Sequence, residues 1–404
     1  MTISTATISW RRNLSVIVVV EFAVLLAYGF STPFMPFFIQ DMGSFTDSEA
    51  AFWSGLSNTV FGLTMFLSGP IWGIIADRSG RKPMVLRAVL GVAVISAGIA
   101  LAPNVFWVIG LRAAQGLFSG TMAAASAMIS GNTPRDKIPF AMGILAVGMY
   151  AGNTMGPFVG GLIANAVGYR NCFYIIAAVY MTGGLAVLFF TKENFIPVIK
   201  GWGSTLGALG RLAISREILP LMVVLCVLSI GPSVLSPVTP LIIKEMAKGV
   251  SSVVSSGMAI SLMGVVATVS ALVVSRLVNV NTNLKKMMVY CCFATGLLYL
   301  PPMFSHSLIP FIALMAVMGT FKGGITISSS SLIALTVKKN QQGTAYGLQQ
   351  SAQFLGNGLG PFIGGSLAAL TGMRSVFPVA AGLYVLAGLL VLKLLPELKR
   401  DNVS

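Results

Sequence analysis

The chain has 404 residues, 55% apolar and only 9% charged, with a mean hydropathy of +0.87 and a net charge of +15. Soluble domains carry about 25% charged residues, so one aqueous core is excluded, and no solvated domain exists to present a basic face to nucleic acid. One histidine (His306) and four cysteines without metal-ligand spacing (Cys172, Cys226, Cys291, Cys292) leave little for a hydrolytic triad or a metal site, and neither a metal nor a cofactor is expected.

Apolar runs of about 20 residues recur along the chain, each long enough to cross a bilayer. In lipid every backbone polar group needs an internal partner, so such runs are helices. Twelve are predicted, over 14–38, 52–76, 84–102, 105–129, 138–166, 171–190, 218–243, 253–277, 285–304, 307–336, 342–370 and 375–395. The first follows Arg11 and Arg12 as a signal peptide would. It leads directly into Pro33 and Pro36 with no small-residue cleavage site, so it is read as a retained helix. Pro33, Pro36, Pro237 and Pro240 predict bends in helices 1 and 7. The longest polar interruption, 191–217, carries Lys192, Glu193, Lys200, Arg211, Arg216 and Glu217. It predicts a linker between two six-helix halves, 1–190 and 218–404.

The bases are distributed unevenly. The N-terminus, 77–87, 131–138, 191–217, 276–286, 338–342 and the C-terminal end hold 20 of the 26 Lys and Arg. The alternate loops hold four: Arg170, Lys244, Lys248 and Arg374. This positive-inside bias predicts a multi-pass protein of the cell (inner) membrane with both termini in the cytoplasm.

The halves also repeat. At an offset of 204, the stretch 152–173 matches 356–377 at 11 of 22 positions, including Gly152/Gly356, Gly156/Gly360, Pro157/Pro361, Gly160/Gly364 and Gly161/Gly365. The same offset pairs Pro33 and Pro36 with Pro237 and Pro240, and Arg81 and Lys82 with Lys285 and Lys286. Between helices 2 and 3 lies Gly73-Ile-Ile-Ala-Asp77-Arg78-Ser-Gly80-Arg81-Lys82, with one acid and three bases within six residues. This stretch resembles the loop 2–3 signature of the major facilitator superfamily of secondary transporters. The resemblance implies an all-α integral membrane fold of twelve helices in two pseudo-symmetric halves, with a substrate site between them. It further implies that Asp77 meets the N-terminus of helix 11, near Gln342 and Gly343, and that Gly73, Asp77, Arg78, Gly80, Arg81 and Lys82 serve conformational gating. The Gly152, Gly156, Pro157, Gly160 and Gly161 run resembles the signature of the superfamily's drug:proton antiporters and implies gating and export. Small residues at this spacing also serve plain helix packing.

Three charges fall inside predicted spans. Arg112, in Leu111-Arg112-Ala-Ala-Gln115-Gly116, resembles the family's helix 4 signature and is implied in proton coupling; snorkelling to the nearer interface is the alternative. Glu21 is the only acid well inside a span. Intramembrane ionisable residues are functional by default, and Glu21 is the candidate proton carrier, with anchoring to Arg11 or Arg12 as the alternative. Lys322, near the middle of helix 10, is too deep to snorkel and must face a wet cavity or a partner such as Glu21. Helices 1, 4, 7 and 10 line the cavity in this family, so Tyr28, Ser31, Gln115, Ser119, Ser233, Lys322 and Thr326 are candidate cavity residues, beside Ser328, Ser329 and Ser330.

Two bases against one acid suit an anionic, zwitterionic or amphipathic solute. The expectation is a monomeric, proton-coupled exporter of small amphipathic molecules, working by alternating access. The alternatives are an exporter of one metabolite (a metallophore, a sugar or a lipid), a proton-coupled nutrient importer and, remotely, a membrane-embedded enzyme. No nucleotide-binding loop is present to supply ATP-driven transport.

Overall fold

A computed structural model describes residues 10–193, 210, 214–215, 218–278, 282–336 and 342–395. Its helices are α1 (Trp10–Phe30), α2 (Met35–Gln40), α3 (Asp47–Ser79), α4 (Arg81–Ala100), α5 (Val105–Phe118), α6 (Thr121–Asn132), α7 (Ile138–Val167) and α8 (Tyr169–Phe190). After the linker follow α9 (Leu219–Val234), α10 (Thr239–Met246), α11 (Ser252–Leu277), α12 (Leu284–Leu298), α13 (Leu308–Thr336), α14 (Gln342–Thr371) and α15 (Val376–Leu394).

These helices make twelve spans, because three spans are interrupted. The breaks between α1 and α2 and between α9 and α10 fall at the expected prolines. The third break, at Ser119–Gly120 between α5 and α6, divides a span expected to be continuous over 105–129. Nine spans of the described chain are long and apolar enough to cross a membrane by composition alone. The nine do not include α3, α14, or α5 and α6, of which the last two are each too short alone. Both α3 and α14 spend a face on each other instead of on lipid.

Packing repeats between the halves. α1 lies on α7 as α9 lies on α14, α3 on α5 as α11 on α13, and α4 on α8 as α12 on α15. Arg170 Nη1 donates to the carbonyls of Ala100 and Ala102 at 2.9 and 3.1 Å, and Arg374 Nη1 to those of Met303 and Ser305 at 2.7 and 2.8 Å. The glycine runs explain the close approach. A Cβ on Gly152, Gly156 or Gly160 would overlap the backbone of Phe22, Leu26 or Phe30 in α1. One on Gly356, Gly360 or Gly364 would do the same at Cys226, Ile230 or Val234 in α9. Gly161 and Gly365 turn the other way, against Val253 of α11 and Ala51 of α3. Each run therefore seats its helix within one half and against the other half at once.

The two seams between halves, α3 with α14 and α7 with α11, are closed at one end only. At the end remote from the 77–82 loop, Gly55 lies on Pro361 and Gly257 on Pro157, and Phe158 N–H donates to Ser261 Oγ at 3.0 Å. There Lys244 Nζ also bridges to Asp47 at 2.7 Å and to Gln40 at 3.3 Å. Toward the basic end, a methyl group on Gly69, Gly73 or Gly347 would meet nothing within 4 Å. The bundle is shut at the far end and parted at the basic end.

Candidate functional site

At the basic end, Gly80 turns the chain between α3 and α4 at φ +98°. The first N–H groups of α4, on Arg81 and Lys82, donate to the Glu193 carboxylate at 3.0 and 2.7 Å. Lys82 Nζ donates to the carbonyls of Leu188 and Thr191 at 2.8 and 2.7 Å. Partial burial pushes the Lys82 ammonium down from its ordinary pKa, against the opposing pull of Glu193. The Asn13 side chain both donates to Lys192 O at 2.7 Å and accepts from Lys192 N–H at 3.2 Å. Thr191, Lys192 and Glu193, read from sequence as the start of the linker, are thus docked on the first half. A carboxylate on a helix N-terminus contributes about 0.3–1 kcal/mol. Gly73 and Arg78 are exposed. The expected meeting of Asp77 with helix 11 falls on side chains outside the described residues, as does most of the 191–217 linker.

Glu21 is fully buried, roughly 16 Å along α1 from Trp10 at 1.5 Å per residue. Its Oε2 accepts from Thr121 Oγ1 at 3.0 Å, while Oε1 has no partner. Among the described residues no cation lies within ion-pair distance of it, neither Arg11 nor Lys322. Thr121 is the first residue of α6, so the break in the fourth span delivers it. Serine–glycine pairs are a recognised cause of such breaks. Ser119 N–H and Oγ both donate to Gln115 O, at 2.9 and 2.7 Å, and Gly120 follows at φ +108°. The carbonyls released there find donors: Ser68 Oγ reaches Gly116 O at 3.3 Å and Trp72 Nε1 reaches Leu117 O at 2.7 Å. Arg87 Nη2 reaches Ser119 O at 3.4 Å, with its guanidinium 3.7 Å above the Trp72 ring.

Arg112 does not reach the interface. It is 5% exposed, donates from Nη1 to Gln115 Oε1 at 2.8 Å and from Nη2 to Asn58 Oδ1, and lies 4.8 Å from the Phe61 ring centroid. Gln115 continues to Ser96 Oγ at 3.5 Å. Gln115 is therefore a buried partner of Arg112. Asn58, Ser96, Thr121 and Glu193 were not legible as site residues. Each is a common polar residue whose meaning depends on what the fold sets opposite it.

Tyr28 is 40% exposed and its ring lies tilted beside Phe61, at 5.7 Å between centroids, while Ser31 is buried. Ser233 Oγ donates to Asn357 Oδ1 at 2.8 Å. Lys322 is half-buried on α13, and its ammonium forms no hydrogen bond or ion pair with the described residues. Thr326 is exposed one turn on and donates to Lys322 O at 3.0 Å. The structure thus gathers Glu21, Tyr28, Arg112 and Gln115 in the first half and leaves Lys322 and Thr326 in the second.

The profile of the Major Facilitator Superfamily matches residues 17–301 and 281–404. The chain belongs to that superfamily. Multidrug resistance protein MdtG of Citrobacter koseri is 32% identical over 95% of this chain and 94% of its own length. A multi-drug resistance efflux pump PmrA homolog of Lactococcus lactis is 31% identical over 96% and 95%. Among solved structures, the nucleoside transporter NupG superposes with a TM-score of 0.80 at 13% identity, covering 95% of this chain and all of that one. A bacterial homolog of the lysosomal transporter Spinster, inward-facing and unoccupied, superposes at 0.74 with 16% identity over 96% and 98%. As a superfamily member the chain is a multi-pass membrane transporter of small molecules, not an enzyme.

Proposed function

We propose that this protein exports small amphipathic molecules across the cell membrane in exchange for protons, its two halves rocking about a site between them. Relatives named for multidrug resistance and efflux support the direction. The charge bias supports cytoplasmic termini, which makes the parted basic end the cytoplasmic mouth and this conformation inward-open. Gly161 and Gly365, seated on the opposite half, and the loop of Gly73, Asp77, Arg78, Gly80, Arg81 and Lys82 are the elements that the rocking would disengage and re-engage.

Glu21 carries the proposal. It is a buried carboxyl with one oxygen unpartnered and, among the described residues, no cation beside it, so proton binding there changes the charge of the site by a full unit. Arg112, fixed by Asn58 and Gln115, lends the same half a permanent positive charge. Lys322, without a partner among the described residues, is the group available to an anionic or zwitterionic substrate. Tyr28, Ser233 and Thr326 supply the neutral polar lining, and one chain suffices, since both halves of the site lie on it.

The test uses proteoliposomes loaded with a carboxylate-bearing fluorophore or its methyl ester, under an imposed pH gradient. Antiport carries the probe toward the acidic compartment; movement away from acid would establish symport. Lys322→Ala is expected to weaken the acid's transport more than the ester's, and equal effects on both would remove the anionic preference.

A further inference from the structure

The break in the fourth span has no counterpart in the tenth, which runs unbroken as α13 from Leu308 to Thr336. It is also a built feature. Gly120 stands at φ +108° with nothing within 4 Å of where its Cβ would be, so glycine is required by the backbone angle and not by space. The three carbonyls around it are met by Ser68, Trp72 and Arg87. No side chain caps the first turn of α6, the positive end of a twelve-residue helix. What approaches that turn is Glu21, 0% exposed, tied through Oε2 to Thr121 and with Oε1 unpartnered.

We infer that Thr121 is a positioning residue for proton coupling: the Ser119–Gly120 break places its hydroxyl to hold the Glu21 carboxyl at the opening of α6. A helix continuous through this region would keep its first-turn N–H groups bonded internally and offer the carboxyl only a side face. The broken one ends with a hydroxyl and a positive helix end at membrane depth, where a carboxyl finds few other stabilising groups. The remaining titratable groups around Glu21 are few. Tyr180 of α8 lies in electrostatic range, Arg112 of α5 and Tyr28 of α1 interact with Tyr180, and the one titratable residue of α7, Tyr150, is exposed. α6 itself has none.

This inference rests on Glu21 being the proton carrier, and the experiment separates the two. The full-length protein and its Glu21→Gln, Thr121→Val, Thr121→Ser and Gly120→Ala variants are purified and studied by infrared difference spectroscopy between acid and alkaline pH. They are then reconstituted for pH-gradient-driven transport and for gradient-free exchange of the same fluorophore. The protonated-carboxyl band absent from Glu21→Gln identifies Glu21. In Thr121→Val that band should move to higher frequency, because the carboxyl loses a donor, and Thr121→Ser should restore it. Driven transport in Thr121→Val should fall roughly tenfold, the rate change for a barrier higher by about 1.4 kcal/mol, while exchange holds and Thr121→Ser recovers. Gly120→Ala should reproduce the band shift without touching the hydroxyl. An unmoved band in Thr121→Val, or equal loss of driven transport and exchange, overturns the inference while leaving Glu21 in its role. Driven transport surviving in Glu21→Gln overturns the underlying reading instead.

Discussion

The two halves share a scaffold and differ in what it carries. Each has a first span broken at prolines, a fifth span with the same glycine run, and an arginine clamping two carbonyls at the end of its third span. Yet at the repeat offset Glu21 corresponds to Leu225, equally buried and apolar. The buried polar chain of Asn58, Arg112, Gln115 and Ser96 and the pair of Glu21 with Thr121 belong to the first half alone. Deep inside a span, the second half offers Lys322, whose ammonium has no hydrogen bond or ion pair among the described residues. The difference teaches that packing is duplicated because helix approach has one solution, whereas chemistry is not, because buried polar groups are costly and survive only where each finds a partner.

The comparison can be broken most severely at the shared glycines. Gly160→Ala and Gly364→Ala each drive a methyl into the backbone of the first span of their half. The overlap, costing about 1–3 kcal/mol or more, outweighs the roughly 1 kcal/mol that alanine gains over glycine in a helix. Thermal unfolding in detergent should fall comparably for both, and a silent Gly364→Ala would show that the halves are not packed alike.

Asn58→Leu is expected to cost about 1.5–3 kcal/mol, the value of a hydrogen bond to a charged group, since it strands one Arg112 donor in a buried site. An unfolding midpoint equal to wild type would mean that Arg112 finds another acceptor and that the first-half network is not specific.

How much of this was legible beforehand follows the same division. The spans, the repeat and the loop signature are written in apolar length and glycine spacing, so the fold could be read from them. Glu21, Arg112 and Lys322 stood out because a charge inside an apolar run is costly, although snorkelling, anchoring or pairing offered plainer readings. Thr121 and Asn58 did not, since a single threonine or asparagine in a helix commonly satisfies its own backbone. The break at Ser119–Gly120 had a local signal, a serine–glycine pair in mid-span, but Gly116 and Gly120 together also fit a packing stripe. Glu193 lay hidden in a polar segment, its role visible only once α4 began against it.

The smallest expected effect is at the far-end latch between Lys244 and Asp47, where both side chains are partly exposed. Partial burial pushes the Asp47 carboxyl up, but hydrogen bonds from Lys244 and Gln40 and the charge of Lys244 outweigh it, and its pKa lies below its ordinary value. A carboxyl lowered by closure stabilises the closed end fully above the ordinary carboxylate range, and that contribution is lost as pH falls through the lowered value. Asp47→Asn should therefore favour opening by about 0.2–1 kcal/mol at neutral pH, with no effect below the lowered value. Distance distributions between spin labels across the far end would report it, and a full effect persisting in strong acid would contradict it.

The most direct test of the account is the Glu21→Gln variant in proteoliposomes, assayed for uphill movement of the carboxylate fluorophore on a pH gradient and for its gradient-free exchange. Loss of uphill movement with exchange retained is the predicted result. Uphill movement at the wild-type rate would show that the first-half carboxyl is not where the proton is carried.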